Sequence, residues 1–158
     1  MPETLLAFDF GTRRIGVAVG TYAECGRLAT ARALTTIDAA ANDARFSAIG
    51  ELVREWQPTR LVVGEPRHAD GTAHDLTARS IRFADQLRGR FRLPVDAIDE
   101  RLSSVAAEES LREDAVRAGR RPSRRIDTAR IDAEAARVIL ERWISRRAAD
   151  DAPATTAS

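Results

Sequence analysis

The chain contains no lysine, because all 25 of its basic residues are arginines, and these are balanced by 24 acidic residues to a formal net charge of +1. It contains one cysteine, Cys25, which cannot form an internal disulfide. Aromatic residues make up only 5% of the 158 residues, and they form no evident stacking platform for nucleic-acid bases. No apolar run reaches membrane length, and the first residues lack the pattern of a secretory signal. We therefore expect one cytoplasmic domain without a membrane segment.

The most informative stretch is Leu5–Gly16, with the sequence LLAFDFGTRRIG. An apolar run carries one carboxylate, Asp9, to a strand end, and Gly11 lets the backbone turn into a second apolar run. An ionised carboxylate between two phenylalanines is costly to bury unless a cation or strong donors meet it. Asp9 either accepts hydrogen bonds from the amides of its own turn or serves a functional site, and the second interpretation is favoured.

Hydrophobic spacing predicts a hairpin followed by alternating helices and strands. The short link between the first two strands requires antiparallel pairing, whereas helical crossovers make strands one, four and five parallel. We predict an α/β fold with a five-stranded mixed sheet flanked by helices. The predicted strands are Leu5–Phe10, Ile15–Val19, Leu28–Ile37, Arg60–Gly64 and Pro94–Ile98, and the predicted helices are Asn42–Trp56, Asp75–Phe91, Ser103 or Ser104 to about Glu113, and Asp127–Arg147. Residues 1–147 form the predicted domain, and residues 148–158 are expected to be a disordered tail.

Several carboxylates are predicted to meet at one edge of the sheet, where the carboxyl ends of parallel strands lie together. Asp9 ends the first strand, and Asp99 or Glu100 ends the fifth, since neighbours on a strand face opposite ways. Asp132 lies on the stripe of the last helix that should pack on the sheet. Three carboxylates in a partly buried site repel each other unless a divalent cation is present, and oxygen ligands favour Mg²⁺ or Mn²⁺ over zinc.

Four motifs occur in the order FDFGTRRIGVA, VVGEP, DERLSS and IDAEAARVIL, and together they resemble the YqgF family, also called the RuvX family. The resemblance spans about Leu5–Trp143. It implies a ribonuclease H-like fold and a hydrolase acting on phosphodiester bonds, described as a pre-16S rRNA nuclease or a Holliday junction resolvase-like enzyme. It also carries the catalytic and metal-binding acids of the family onto Asp9, Glu100 and Asp132, which selects Glu100 over Asp99.

One position departs from the family pattern. The Gly-x-Pro motif matches at Gly64 and Pro66, but Glu65 stands where the family usually has an apolar residue. This carboxylate either adds negative charge near the site or points away from it, so Glu65 is left out of the catalytic set.

The mechanism implied is in-line hydrolysis, in which two divalent ions held by the three acids activate a water and stabilise the leaving 3′ oxygen. Arginines near the predicted edge are expected to bind flanking phosphates, and a basic loop predicted over 117–125 to hold the backbone at longer range. For the loop, an ordinary solvated connector is an open alternative. The expected nucleic-acid-binding residues are Arg13, Arg14, Arg101, Arg120, Arg121, Arg124 and Arg125.

The expected substrate is structured nucleic acid, with maturation of the 5′ end of pre-16S rRNA as the leading role. One alternative is a Holliday junction resolvase acting on branched DNA, for which a homodimer is expected. Another is a non-catalytic nucleic-acid-binding factor in ribosome assembly or transcription. The phrase Asp-Phe-Gly-Thr also resembles the first phosphate-binding motif of actin-like and sugar-kinase ATPases, but those enzymes need two lobes, and this chain has room for one.

Overall fold

The computed structural model describes residues 2–66, 76–99 and 124–152. These residues form five strands and three helices, with one short 3₁₀ turn at Glu24–Gly26. The strands are β1 (Glu3–Phe10), β2 (Arg14–Tyr22), β3 (Thr30–Asp38), β4 (Arg60–Glu65) and β5 (Val95–Asp99), and the helices are α1 (Asn42–Trp56), α2 (Thr77–Phe91) and α3 (Arg124–Asp151). The helix predicted from Ser103 or Ser104 to Glu113 lies outside the described residues.

The strands form one sheet in the order β3-β2-β1-β4-β5. The strand β2 runs antiparallel to both β1 and β3, while β1, β4 and β5 are parallel. This confirms the predicted mixed sheet. It also places the carboxyl ends of the three parallel strands at one edge, because the helical crossovers return the chain to the opposite edge each time.

Each face of the sheet packs against different helices, and alternate residues of the strands supply the two cores. On one face, Leu6 and Phe8 of β1 pack with Phe46 and Ile49 of α1 and with Phe83 of α2. On the other face, side chains of β1, β2 and β4 pack with α3. This second core includes Leu5, Ala7, Ala18, Val62, Ala136, Ile139, Leu140 and Trp143. None of the described helices combines the length and the apolar character that a membrane crossing needs.

The last helix is longer than the sequence predicts at both ends. Arg124 and Arg125, expected in a loop, form the start of α3, and Ala148–Asp151, expected in a disordered tail, form its last turn. Tyr22 of β2 fixes that last turn, because its hydroxyl donates a hydrogen bond of 2.6 Å to Asp151. Residues 153–158 of the predicted tail lie outside the described residues.

Candidate active site

Gly16 brings β1, β2 and α3 together at the candidate site. It lies directly opposite Asp9 in the antiparallel pair of β1 and β2, so their Cα atoms are roughly 4.5–5.5 Å apart. A Cβ atom added to Gly16 would overlap the backbone carbonyl of Asp132. The backbone of α3 therefore lies on β2 beside Asp9, which only a residue without a side chain allows.

Asp9 shares a sheet face with α3. Leu5 and Ala7 of β1 belong to the core under α3, whereas Leu6 and Phe8 belong to the opposite core. By this alternation Asp9 lies on the α3 face. The structure thus brings two of the three predicted acids, Asp9 and Asp132, to one end of one face.

Asp132 forms an ion pair with Arg14, which lies two residues before Gly16 on the same face of β2. The Arg14 Nε donates to Asp132 Oδ2 at 2.8 Å, and the side chains are 38% and 23% exposed respectively. Burial raises the pKa of Asp132 above its ordinary value; the hydrogen bond and charge of Arg14 lower it, and the charge of Asp38 raises it further. Since burial dominates, Arg14 only partly compensates this carboxylate, and a further cation would stabilise its ionised form.

The ends of β4 and β5 settle which carboxylates face away from Asp9. Glu65 and Asp99 lie opposite each other in the parallel pair. By alternation they share a face with Val63 and Val95, whose side chains pack on the α1 and α2 side. This supports leaving Glu65 and Asp99 out of the catalytic set.

Glu100 follows Asp99 directly, and it lies outside the described residues, as do Arg101, Arg120 and Arg121. Asp99 contacts α3, because Arg142 donates a hydrogen bond of 3.0 Å to the Asp99 carbonyl. Within the described ranges no cluster contains three or more side chains suited to hold a metal ion. The third acid of the site therefore stays a prediction.

The other predicted phosphate-binding arginines are spread out. The Arg13 side chain is 77% exposed, and its Nε lies 3.5 Å from Asp38 Oδ1. The backbone of Arg124 and Arg125 forms the first turn of α3.

Sequence analysis missed Arg45, which holds the turn between β1 and β2. Arg45 is only 4% exposed. Its Nε and Nη2 donate to the carbonyls of Ala39 and Gly11 at 2.5 and 2.6 Å, and its guanidinium carbon lies 5.4 Å from the centre of the Phe10 ring. A signal was present, because Arg45 lies four residues before Ile49, on the apolar stripe of α1.

Comparisons with known proteins show which family this chain resembles. A family model described as "RuvX: Holliday junction resolvase" matches residues 3–146. The chain is 50% identical over 143 residues to a Burkholderia cenocepacia protein named "Putative pre-16S rRNA nuclease", covering 90% of this chain and 89% of the relative. A protein of the same name from Burkholderia vietnamiensis is 51% identical over 140 residues, covering 89% and 87%.

A solved structure gives independent support for the fold. The structure titled "T. thermophilus RuvC in complex with Holliday junction substrate" matches with a TM-score of 0.52 at 17% identity, covering 91% of this chain and 95% of that chain. This likeness confirms the ribonuclease H-like fold.

Proposed function

The chain belongs to the RuvX family, and from this premise we propose that it is a cytoplasmic, metal-dependent endonuclease that matures the 5′ end of pre-16S rRNA. The observation that carries the proposal is the meeting of Asp9 and Asp132 across Gly16. Two carboxylates on one partly buried face, at the edge where parallel strands end, are suited to hold a divalent cation.

The residues present fit Mg²⁺ or Mn²⁺. Carboxylate oxygens are the ligands that both ions prefer, and burial of Asp132 creates a demand for positive charge that Arg14 meets only in part. Glu100 is the proposed third ligand, on the strength of the family resemblance and of its position one residue after β5. When bound, a pair of such ions supplies an activated water and stabilises the leaving oxygen.

The side chains of the protein have separate roles in this scheme. Asp9, Glu100 and Asp132 would hold the cations as ionised carboxylates. Arg14 pairs with Asp132 and compensates its charge in part, and its guanidinium would be available to a phosphate if a cation took its place at that carboxylate. The Arg13 side chain is exposed, and its proposed role is to contact the nucleic-acid strand at the same turn.

More distant contacts are proposed for the remaining arginines of the footprint. In the sequence, Arg101 follows Glu100, and Arg120 and Arg121 precede α3. Arg124 and Arg125 begin α3, whose N-terminal half covers the site. Arginine suits this purpose because its planar fork binds phosphate through two hydrogen bonds.

The testing experiment measures cleavage of precursor rRNA, of branched DNA and of single strands, each with Mg²⁺ and with Mn²⁺. We expect cleavage of the precursor rRNA, and we expect Asp9→Asn, Glu100→Gln and Asp132→Asn each to reduce the rate to background. Asp43→Asn, an exposed carboxylate at the start of α1, is the matched control and should keep full activity. Circular dichroism of every variant checks that the fold is intact.

Two outcomes of this experiment would contradict the proposal. Cleavage of branched DNA alone, by a chain that sediments as a homodimer, would favour a Holliday junction resolvase, the description carried by the family model. Binding of rRNA without cleavage under any condition would favour a non-catalytic assembly factor.

A further inference from the structure

A basic cavity lies on the face of the sheet opposite Asp9 and Asp132. It has a volume of about 260 Å³ and opens between the first turn of α1, the outer side of α2 and the turn after β1. No acidic residue lines it among the described residues. Its polar lining consists of Thr12, Asn42, Arg45, Arg79, Arg82 and Gln86.

Arg45 supplies a buried positive charge to the basic cavity. Its two hydrogen bonds go to backbone carbonyls, and among the described residues no carboxylate pairs with it. Since a guanidinium has five N–H donors, three are left for another acceptor. Burial lowers the pKa of Arg45 from its ordinary value.

Arg79 and Arg82 extend the positive charge to the surface. They lie three residues apart on α2, so their side chains project from the same side of the helix. Both are exposed, and neither forms an ion pair with a described residue.

A second, larger cavity of about 460 Å³ lies beside β5, and its arginines differ from those of the basic cavity in their partners. Two of its arginines already pair with carboxylates: Arg88 donates to Asp85 at 2.6 Å and to the Val95 carbonyl at 2.8 Å, and Arg147 donates to Asp151 at 3.2 Å. Asp96 and Asp150 also line that cavity. In the basic cavity, by contrast, none of the three arginines pairs with a carboxylate among the described residues.

The position of the basic cavity relates it to the candidate site. Phe10 and Thr12 line the basic cavity, and Asp9 directly precedes Phe10 on the opposite face of β1. A nucleic-acid strand that binds at Asp9 and continues over the turn between β1 and β2 would therefore reach the basic cavity. We propose that the basic cavity binds a backbone phosphate of the nucleic-acid strand that extends from the active site over this turn. This inference rests on the proposed function, because it assumes that nucleic acid occupies the site at Asp9.

The first test measures the salt dependence of oligonucleotide binding in buffer with a chelator, so that no cleavage takes place. For the variant carrying Arg79→Ala and Arg82→Ala, the slope of log K against log salt should become shallower by about 0.7, the change for one lost phosphate contact with a single strand. The control variant carries Arg27→Ala and Arg54→Ala, two exposed arginines away from the basic cavity, and has the same net charge. Its slope should equal that of the parent. Equal slopes for all three proteins would overturn the proposal.

The second test observes the Arg45 Nε–H signal by NMR and separates two sources of phosphate. An oligonucleotide should shift this signal at micromolar concentration in the parent and much less in the Arg79→Ala, Arg82→Ala variant. Inorganic phosphate or a nucleoside monophosphate that saturates the shift at similar concentration, with no change in the oligonucleotide slope, would overturn the proposal in favour of a free-anion site.

Cleavage assays with Mn²⁺ keep the two proposals distinguishable. A chain that shows the slope change but cuts no substrate contradicts the proposed function and leaves the basic cavity in place. A chain that cuts normally with an unchanged slope contradicts only the basic cavity.

Discussion

At the scale of single residues, Gly16 determines whether Asp9 and Asp132 can share a site. A Cβ at this position would overlap backbone atoms of α3, which cannot rotate away as a side chain can. We expect Gly16→Ala to lower the free energy of unfolding by about 3 kcal/mol, the upper end of the usual cost of overpacking. Urea unfolding measures this loss.

Gly89 provides the matched control for Gly16. A Cβ at Gly89 in α2 would meet no atom within 4 Å. Gly89→Ala should therefore stabilise the protein by up to about 1 kcal/mol, because alanine favours helix. If Gly16→Ala proves equally benign, the close contact of β2 with α3 is wrong.

Asp132 predicts a specific dependence of stability on pH in metal-free buffer. Its pKa is raised above the ordinary 3.8 in the folded protein, so the folded state binds this proton more tightly than the unfolded chain does. The stabilising contribution is complete below pH about 3.8 and is lost as the pH rises through the folded pKa. Asp132→Asn removes this titration. The free energy of unfolding of the variant minus that of the parent should therefore rise with pH and then level off.

The measurement is urea unfolding of both proteins at a series of pH values in the presence of a chelator. A relative stability of Asp132→Asn that falls with increasing pH would show that the ion pair with Arg14 outweighs burial. Asp43→Asn controls for general charge effects, because this carboxylate is exposed in the first turn of α1 and is not one of the proposed metal ligands.

At the scale of structural elements, Arg45 of α1 fixes the turn that joins β1 to β2. Arg45→Met keeps most of the side-chain volume but leaves the carbonyls of Gly11 and Ala39 without their donor. We expect the free energy of unfolding to fall by about 2 kcal/mol. Leaving the buried carbonyls without their charged donor costs more than is gained by no longer burying the charge. Faster hydrogen exchange of the Ala39 amide, which donates to the Arg13 carbonyl at 3.1 Å, should report the loosened turn.

The exposed Arg54, on the same helix, gives the control. Arg54→Met should change neither the stability nor the exchange of the Ala39 amide. Equal exchange rates in Arg45→Met and the parent would show that the turn holds its conformation without Arg45.

Elements with a strong local pattern were predictable from the sequence, and those set by tertiary contacts were not. The bounds of α1 were predicted as observed, because its apolar stripe is regular and Pro58 follows its end. The predicted ends of α3 were wrong. Its last turn is stabilised by a hydrogen bond from Tyr22 on a distant strand, which a local sequence pattern does not show. The meeting of Asp9 and Asp132 was predictable from the sheet edge and the helix stripe, whereas the capture of Arg14 by Asp132 depends on a contact 118 residues apart in sequence.

At the scale of the whole molecule, cation binding should couple to stability, because the proposed ligands come from β1, from the residue after β5 and from α3, which meet only in the folded chain. A ligand that binds only the folded state stabilises it by about 2.7 kcal/mol at one hundred times its dissociation constant. We therefore expect Mn²⁺ to raise the melting temperature of the parent in a saturable way, and Asp9→Asn, Glu100→Gln and Asp132→Asn to lose this increase.

Differential scanning calorimetry across a Mn²⁺ titration measures the effect, with Asp43→Asn as the control that keeps the full increase. The coupling should also strengthen as the pH rises through the folded pKa of Asp132, since only the ionised carboxylate holds a cation and protons compete for it. A calcium titration of the melting temperature checks cation binding by the three acids separately from cleavage, because calcium binds carboxylates without supporting the same chemistry. An increase in the melting temperature that survives all three acid substitutions would place the cation elsewhere on the molecule, and would remove the basis for a metal-dependent site at the junction of β1, β2 and α3.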